Sequence, residues 1–212
     1  MKKITLPVLV FTIFISSTVH AQKARIGFSA GATLAQVKTE ADNQKDKSDL
    51  HLGFTLGVVA DVSFGKQFSF QPALNFLQKG GKDNQTINGM SYKSAITLNY
   101  LELPLNFVYH SKGKKGHFLT GIGPSLAYAL SGKAKISSGD QTESVKLKIG
   151  NGTDDDLKPF EFSGNVLAGY ESSNGIFVTV NYNFGLSNVS TDSQSTLKNS
   201  YFGLRIGYLL HH

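Results

Sequence analysis

The chain has 212 residues, a formal net charge of +6 and no cysteine. A charge this mild, spread over lysines in polar segments (Lys45, Lys47, Lys82, Lys112, Lys114, Lys115), marks no nucleic-acid partner, and the absence of thiols excludes disulfide frameworks and thiolate metal sites. With 22 Gly, 15 Phe, 8 Tyr and few helix-favouring runs, the composition leans to β structure.

Residues 1–21 have the layout of a secretory signal peptide. Lys2 and Lys3 form a positive start, 6–15 an apolar core, and Val19-His20-Ala21 a small-x-small cleavage site before Gln22. The apolar core falls well short of the ~20 residues that a spanning helix needs. No later segment carries a long apolar run, so the mature domain, 22–212, has no helical span.

From residue 24 onward, alternation predicts strands near 24–38, 52–64, 67–79, 92–110, 117–131, 160–171, 175–186 and 200–210. In the second, Phe54, Leu56, Val58, Ala60, Val62 and Phe64 oppose Thr55, Gly57, Asp61 and Ser63. In the seventh, Ile176, Val178, Val180, Tyr182, Phe184 and Leu186 share one face. The eighth repeats this with Phe202, Leu204, Ile206, Tyr208 and Leu210. Connections at 65–66, 111–116 and 172–174 are tight; those at 39–51, 80–91, 132–159 and 187–199 are long and polar. Pro72, Pro104 and Pro124 fall inside the third, fourth and fifth strands, and the apolar phase slips near 98–101. Together these predict β-bulges on three neighbouring strands.

The polar faces carry Gly, Ser, Asn and charges of both signs, small enough to fill a narrow lumen. The apolar faces are large and end in aromatics at two levels. Phe54, Phe76, Tyr128, Phe162, Phe184 and Phe202 stand next to long loops; Phe64, Phe68, Tyr109, Phe118, Tyr170 and Tyr208 stand next to short turns or the terminus. Two such girdles belong where rings meet two headgroup layers. The fold class is therefore all-β: an eight-stranded antiparallel up-and-down transmembrane β-barrel in the outer membrane of a Gram-negative cell. Its rival of the same class is a secreted soluble barrel that holds a lipid-like ligand.

Alternation projects Arg25, Lys79 and Arg205 into the lumen with Asp61, Glu102, Glu161 and Glu171, beside Asn75, Asn106, Asn165, Asn181 and Asn183. Eight strands leave room for little beyond side chains, so this set reads as a polar plug rather than a selectivity ring. Glu102 and Arg205 are the candidates for one charge network across the interior. His110 and His117 bracket the lysine turn, but two residues make no metal site. Asp154-Asp155-Asp156 lacks the spacing of a calcium loop. No metal or cofactor is expected, and no Gly-x-Ser-x-Gly elbow is present. The reading is non-enzymatic. An alternative is an outer-leaflet enzyme modifying lipid A with chemistry at His51, the one histidine in the long loops.

Four segments carry a family resemblance: Gly27-Phe28-Ser29-Ala30-Gly31-Ala32, the run from Phe70-Gln71-Pro72-Ala73-Leu74 to Gln78-Lys79-Gly80, Leu98-Asn99-Tyr100-Leu101-Glu102-Leu103-Pro104-Leu105, and Gly121-Ile122-Gly123-Pro124-Ser125-Leu126 continuing to Leu130. In this order they resemble the PorT-like outer-membrane β-barrels. The resemblance implies an integral outer-membrane barrel and, by analogy with the family's founding member, a role accessory to protein secretion; the binding or scaffolding role in the envelope rests on the long polar loops, which carry no assembled nucleophile–base–carboxylate set. The apolar exterior predicts contact with outer-membrane lipid and lipopolysaccharide, and the long loops suit contact with an envelope or secretion-machinery protein. The chain departs from the usual aromatic ending of such barrels, closing on Tyr208-Leu209-Leu210-His211-His212.

Overall fold

The alternating segments become a closed ring of strands. The structure, a computed structural model, describes residues 24–41, 44–87, 90–138, 141–152, 154–192 and 194–210; the signal segment expected at 1–21 lies outside them. Among the described residues ten strands form: β1 (Ala24–Ala41), β2 (Gln44–Lys47), β3 (His51–Ser63), β4 (Phe68–Ile87), β5 (Met90–His110), β6 (Gly116–Ser138), β7 (Gln141–Leu147), β8 (Phe160–Ser172), β9 (Ile176–Gly185) and β10 (Ser195–Leu209). Eight of them pair antiparallel in the order β1, β3, β4, β5, β6, β8, β9, β10, and β10 pairs back onto β1. Closure leaves the barrel wall with no unpaired edge, the condition for a sheet to cross hydrocarbon. The remaining two are short returns outside the ring: β2 folds onto the end of β1, and β7 onto the end of β6.

The outer face is apolar. Leu56, Val58, Ile122, Val180, Leu204 and Ile206 are all exposed, and a continuous apolar wall of this kind suits lipid rather than water. Aromatic rings cluster beside the long arms, where Phe54 meets Phe76 at 5.6 Å and Tyr182 meets Phe202 at 4.5 Å. They cluster again beside the tight turns, where Phe68 meets Tyr109 at 5.4 Å and Phe118 meets Tyr170 at 5.3 Å.

The structure differs from the sequence reading in the long connections and in the bulges, and the loop expected at 39–51 already holds the end of β1 and all of β2. The segment expected as a loop at 80–91 is mostly ladder, with Lys82 opposite Ala95 and Asp83 opposite Ser94. Strand likewise replaces loop at Gly132–Ser138, at β7 and from Ser195. In these arms Lys82 to Asn84 and Gln141 to Lys146 are exposed in succession, so hydrogen bonding persists where alternation has no reason to.

The expected bulges on three strands reduce to one register shift. Asn99 faces Ser131 and Tyr100 faces Ala129, which leaves Leu130 as the extra residue on β6. Inward positions on β6 accordingly run Ser125, Ala127, Ala129 and then Gly132. On β5 the phase never changes: Leu98, Tyr100, Glu102, Pro104 and Asn106 are all buried. The apparent slip arose because Leu98 and Tyr100 are apolar residues that face the lumen. Each proline instead interrupts the ladder on one side without moving the register. Pairing passes from Val59–Ala73 to Val62–Phe70 beside Pro72, from Pro72–Leu105 to Asn75–Glu102 beside Pro104, and from Pro104–Ser125 to Phe107–Ile122 beside Pro124. A missing N–H removes a rung, and the strands on either side hold the alignment.

Candidate functional site in the barrel lumen

Inward-facing residues fill the lumen in successive zones. Nearest the long arms the filling is apolar: Ala35, Leu77, Leu98, Ala127 and Ala129 pack with Tyr100 and Tyr201. Leu157 and Val189, from the connections that follow β7 and β9, join the same buried cluster.

Against this cluster lies a charged knot. Lys79 is fully buried, with Nζ 2.8 Å from Glu161 Oε1 and 3.3 Å from Glu102 Oε2. Its ammonium also stands 4.9 Å from the Tyr100 ring centre and 5.3 Å from that of Tyr201, within cation–π range. Asn199 Nδ2 donates to the other Glu161 oxygen at 2.7 Å. The Tyr201 hydroxyl donates to Glu102 at 2.7 Å and accepts from Arg205 Nη2 at 3.2 Å. Glu102 and Arg205, the pair singled out from sequence, therefore communicate through Tyr201, and the cation in contact with Glu102 is Lys79. A lone charge here would be costly; the Lys79 ammonium and Arg205 guanidinium against two carboxylates, knitted by phenol and amide groups, compensate one another.

Beyond the knot comes an amide zone. Asn165 donates to Asn106 at 2.8 Å, Asn181 donates to Asn165 at 3.0 Å, and Asn183 donates to Ser163 at 3.0 Å. Asn75 is buried in the same lumen. A cavity of only about 50 Å³ remains between Ser29, Gln71, Pro104, Leu167, Phe177 and Arg205. That is room for a few waters.

At the tight-turn end, Arg25 is paired with both Asp61 and Glu171. Glu171 also lies 3.3 Å from His117 Nε2, and His110 Nδ1 lies 2.9 Å from the same nitrogen. Arg25, Asp61, His110 and His117 face a cavity of about 400 Å³. The seven charged residues named from sequence thus form two separate groups: Lys79, Glu102, Glu161 and Arg205 in the first, Arg25, Asp61 and Glu171 in the second. Sequence reasoning passed over Tyr100, Tyr201 and Asn199 as network members. Parity held the signal for Tyr201, since Phe202 and Leu204 point outward and position 201 must then point in.

His51 sits elsewhere, at the start of β3. It is buried, and its Nε2 lies 3.2 Å from Thr97 Oγ1. Among the described residues no carboxylate or serine is hydrogen-bonded to it.

A closed ring of eight antiparallel strands with an apolar exterior, two aromatic levels and a packed polar lumen defines an outer-membrane β-barrel. Residues 20–191 match the outer membrane protein beta-barrel domain, and the chain belongs to that family. No curated protein matches it. Among solved structures it is similar to the outer membrane protein OprG of Pseudomonas aeruginosa, at 10% identity over 91% of this chain and 98% of that one, with a TM-score of 0.47. It is similar to the neisserial surface protein NspA at 10% identity over 85% and 96%, TM-score 0.41. Ail, the attachment invasion locus protein of Yersinia pestis, shares 15% identity over 88% and 99%, TM-score 0.40.

Proposed function

We propose that this barrel is a non-conducting, non-enzymatic envelope protein that works by binding, through the polar arms above its long-loop mouth. The reading extends to an accessory role in protein secretion, as the resemblance to PorT-like barrels implies, and to delivery by cleavage of the segment 1–21. The observation that carries it is the filled lumen: Lys79, Glu102 and Glu161 are buried against Tyr100 and Tyr201 inside the barrel. With the interior committed to side chains, recognition falls to β2, β7 and the β4–β5 hairpin, whose residues from Lys82 to Asn84 and from Gln141 to Lys146 are exposed. Extended polar ladders of this kind offer backbone and side-chain groups to a partner protein or to lipopolysaccharide.

The test is capture with the intact barrel. Photo-crosslinking from positions on β7 and on the β4–β5 hairpin in living cells is expected to trap one discrete envelope partner, and the exported protein that depends on it should fail to appear when the barrel is deleted. Lipid A mass spectra are expected to be unchanged by deletion. An altered acyl pattern restored by the wild type but not by His51→Ala would establish the enzymatic alternative.

A further inference from the structure

The tight-turn mouth adds two histidines to the group of Arg25, Asp61 and Glu171. His110 ends β5 and His117 begins β6, so the short connection between them brings the two rings together, 4.9 Å between centres. Across the next ladder His117 lies directly opposite Glu171 on β8. One ligand atom from each of His110, His117 and Glu171 lies within 4.8 Å of the other two; His117 Nε2 is 2.9 Å from His110 Nδ1 and 3.3 Å from Glu171 Oε2, which also accepts from Arg25 Nη2 at 3.2 Å. A tetrahedral ion with bonds of about 2.0–2.2 Å holds its ligand atoms roughly 3.3 Å apart. Three donors are thus near the spacing of a coordination sphere before any ion arrives.

The surroundings fit the same purpose. The buried Ser69 hydroxyl lies 2.7 Å from His110 Nε2. When Nε2–H donates to that oxygen, Nδ1 keeps its lone pair toward the cluster, the arrangement that fixes a ligating imidazole. Asp61 is fully buried and lines the same cavity, and its Oδ1 has no hydrogen-bond partner among the described residues. Arg25 supplies one positive charge against the two carboxylates of Asp61 and Glu171. With neutral imidazoles the mouth keeps one net negative charge. Lys66 and Lys112 also line the cavity, but both are exposed and hold their ammonium groups in water.

We propose that His110, His117 and Glu171 bind one divalent transition-metal ion of the zinc type at the tight-turn mouth. Ser69 orients His110, and the fourth position is open to water or to Asp61. Two imidazoles and a carboxylate select such an ion over magnesium or calcium, which take all-oxygen sites. The bound ion ties β5, β6 and β8 together at their turn ends.

The mature barrel, refolded in detergent without an added tag and with His211→Ala and His212→Ala to remove the terminal imidazoles, is titrated calorimetrically with Zn²⁺. One ion per barrel is expected, with Mg²⁺ silent. His117→Ala is expected to weaken binding at least about tenfold, and Ser69→Ala, which leaves every ligand in place, about 10- to 100-fold. Co²⁺ should give the intense visible bands of a tetrahedral site, lost in His117→Ala. Heat-shifted gel mobility verifies that each variant is folded; where His117→Ala does not fold, Ser69→Ala and the Co²⁺ spectrum decide. Undiminished Zn²⁺ binding in folded His117→Ala or Ser69→Ala, no saturable binding to the folded barrel, or loss of binding on replacing His211 and His212 alone would overturn the proposal.

Discussion

Tyr201 on β10 and Glu102 on β5 lie 99 residues apart in the chain and share a 2.7 Å hydrogen bond inside the barrel. The phenol joins two charges that do not touch, donating to Glu102 and accepting from Arg205. Tyr201→Phe keeps the ring that faces Lys79 and removes only this bridge. It is expected to cost about 1–3 kcal/mol, because a charged partner on each side loses a bond in a buried setting. Urea unfolding of the barrel in lipid vesicles measures it, and a midpoint equal to that of the wild type would show that the bridge contributes nothing.

Lys79 gives a larger effect. Removing its ammonium leaves Glu102 and Glu161 as facing carboxylates with no cation in contact. Lys79→Ala is therefore expected to destabilise by about 3–5 kcal/mol. The triple variant Lys79→Met, Glu102→Gln, Glu161→Gln should recover most of that loss, because the facing carboxylates go with the cation and the half-buried Arg205 keeps its bond to the Tyr201 hydroxyl. The same unfolding assay applies, and failure of the triple variant to recover would assign the loss to packing.

The lumen filling also has an electrical readout. Wild-type barrels in planar bilayers are expected to show no steady conductance. Persistent single-channel steps from the wild type would mean that the knot of Lys79, Glu102 and Glu161 is a filter and not a plug.

On the outer face, Leu204 lies between Phe202 and Tyr208 and is exposed. Leu204→Arg places a charge in the hydrocarbon and is expected to cost about 2–4 kcal/mol, whereas Leu50→Arg, beyond the aromatic level at Phe54, should cost about 0–1 kcal/mol. Equal costs at the two positions would contradict the membrane placement of this wall.

How much of this was legible in the sequence follows from where alternation is enforced. Inside the membrane each strand has one oily and one polar side, so Phe54 to Phe64, Ile176 to Leu186 and Phe202 to Leu210 displayed their faces openly. Above the membrane both sides are wet, and the ladder from Gly80 to Ile87 looked like loop. Leu98 and Tyr100 misled because an apolar side chain can also serve the lumen, where they pack with Leu77 and Tyr201. The charged residues were placed inside by parity alone. Which of them meet was not legible, since contact across the interior depends on side-chain reach: Lys79 stands opposite Leu98 in the ladder yet its ammonium reaches both Glu102 and Glu161. His110, His117 and Glu171 were visible singly, and only the ladder between β6 and β8 brings the third beside the first two.

The seam between β1 and β10 joins the two ends of the chain, from Gly27 opposite Leu209 to Ala41 opposite Ser195. Every other wall contact forms between strands that follow one another closely along the chain, but this one cannot begin until the last residues have been delivered. Until then β1 and β9 are both raw borders, open to pairing with other molecules. A chain cut short before Ser195 would remain an open sheet with two adhesive borders whatever the quality of its interior.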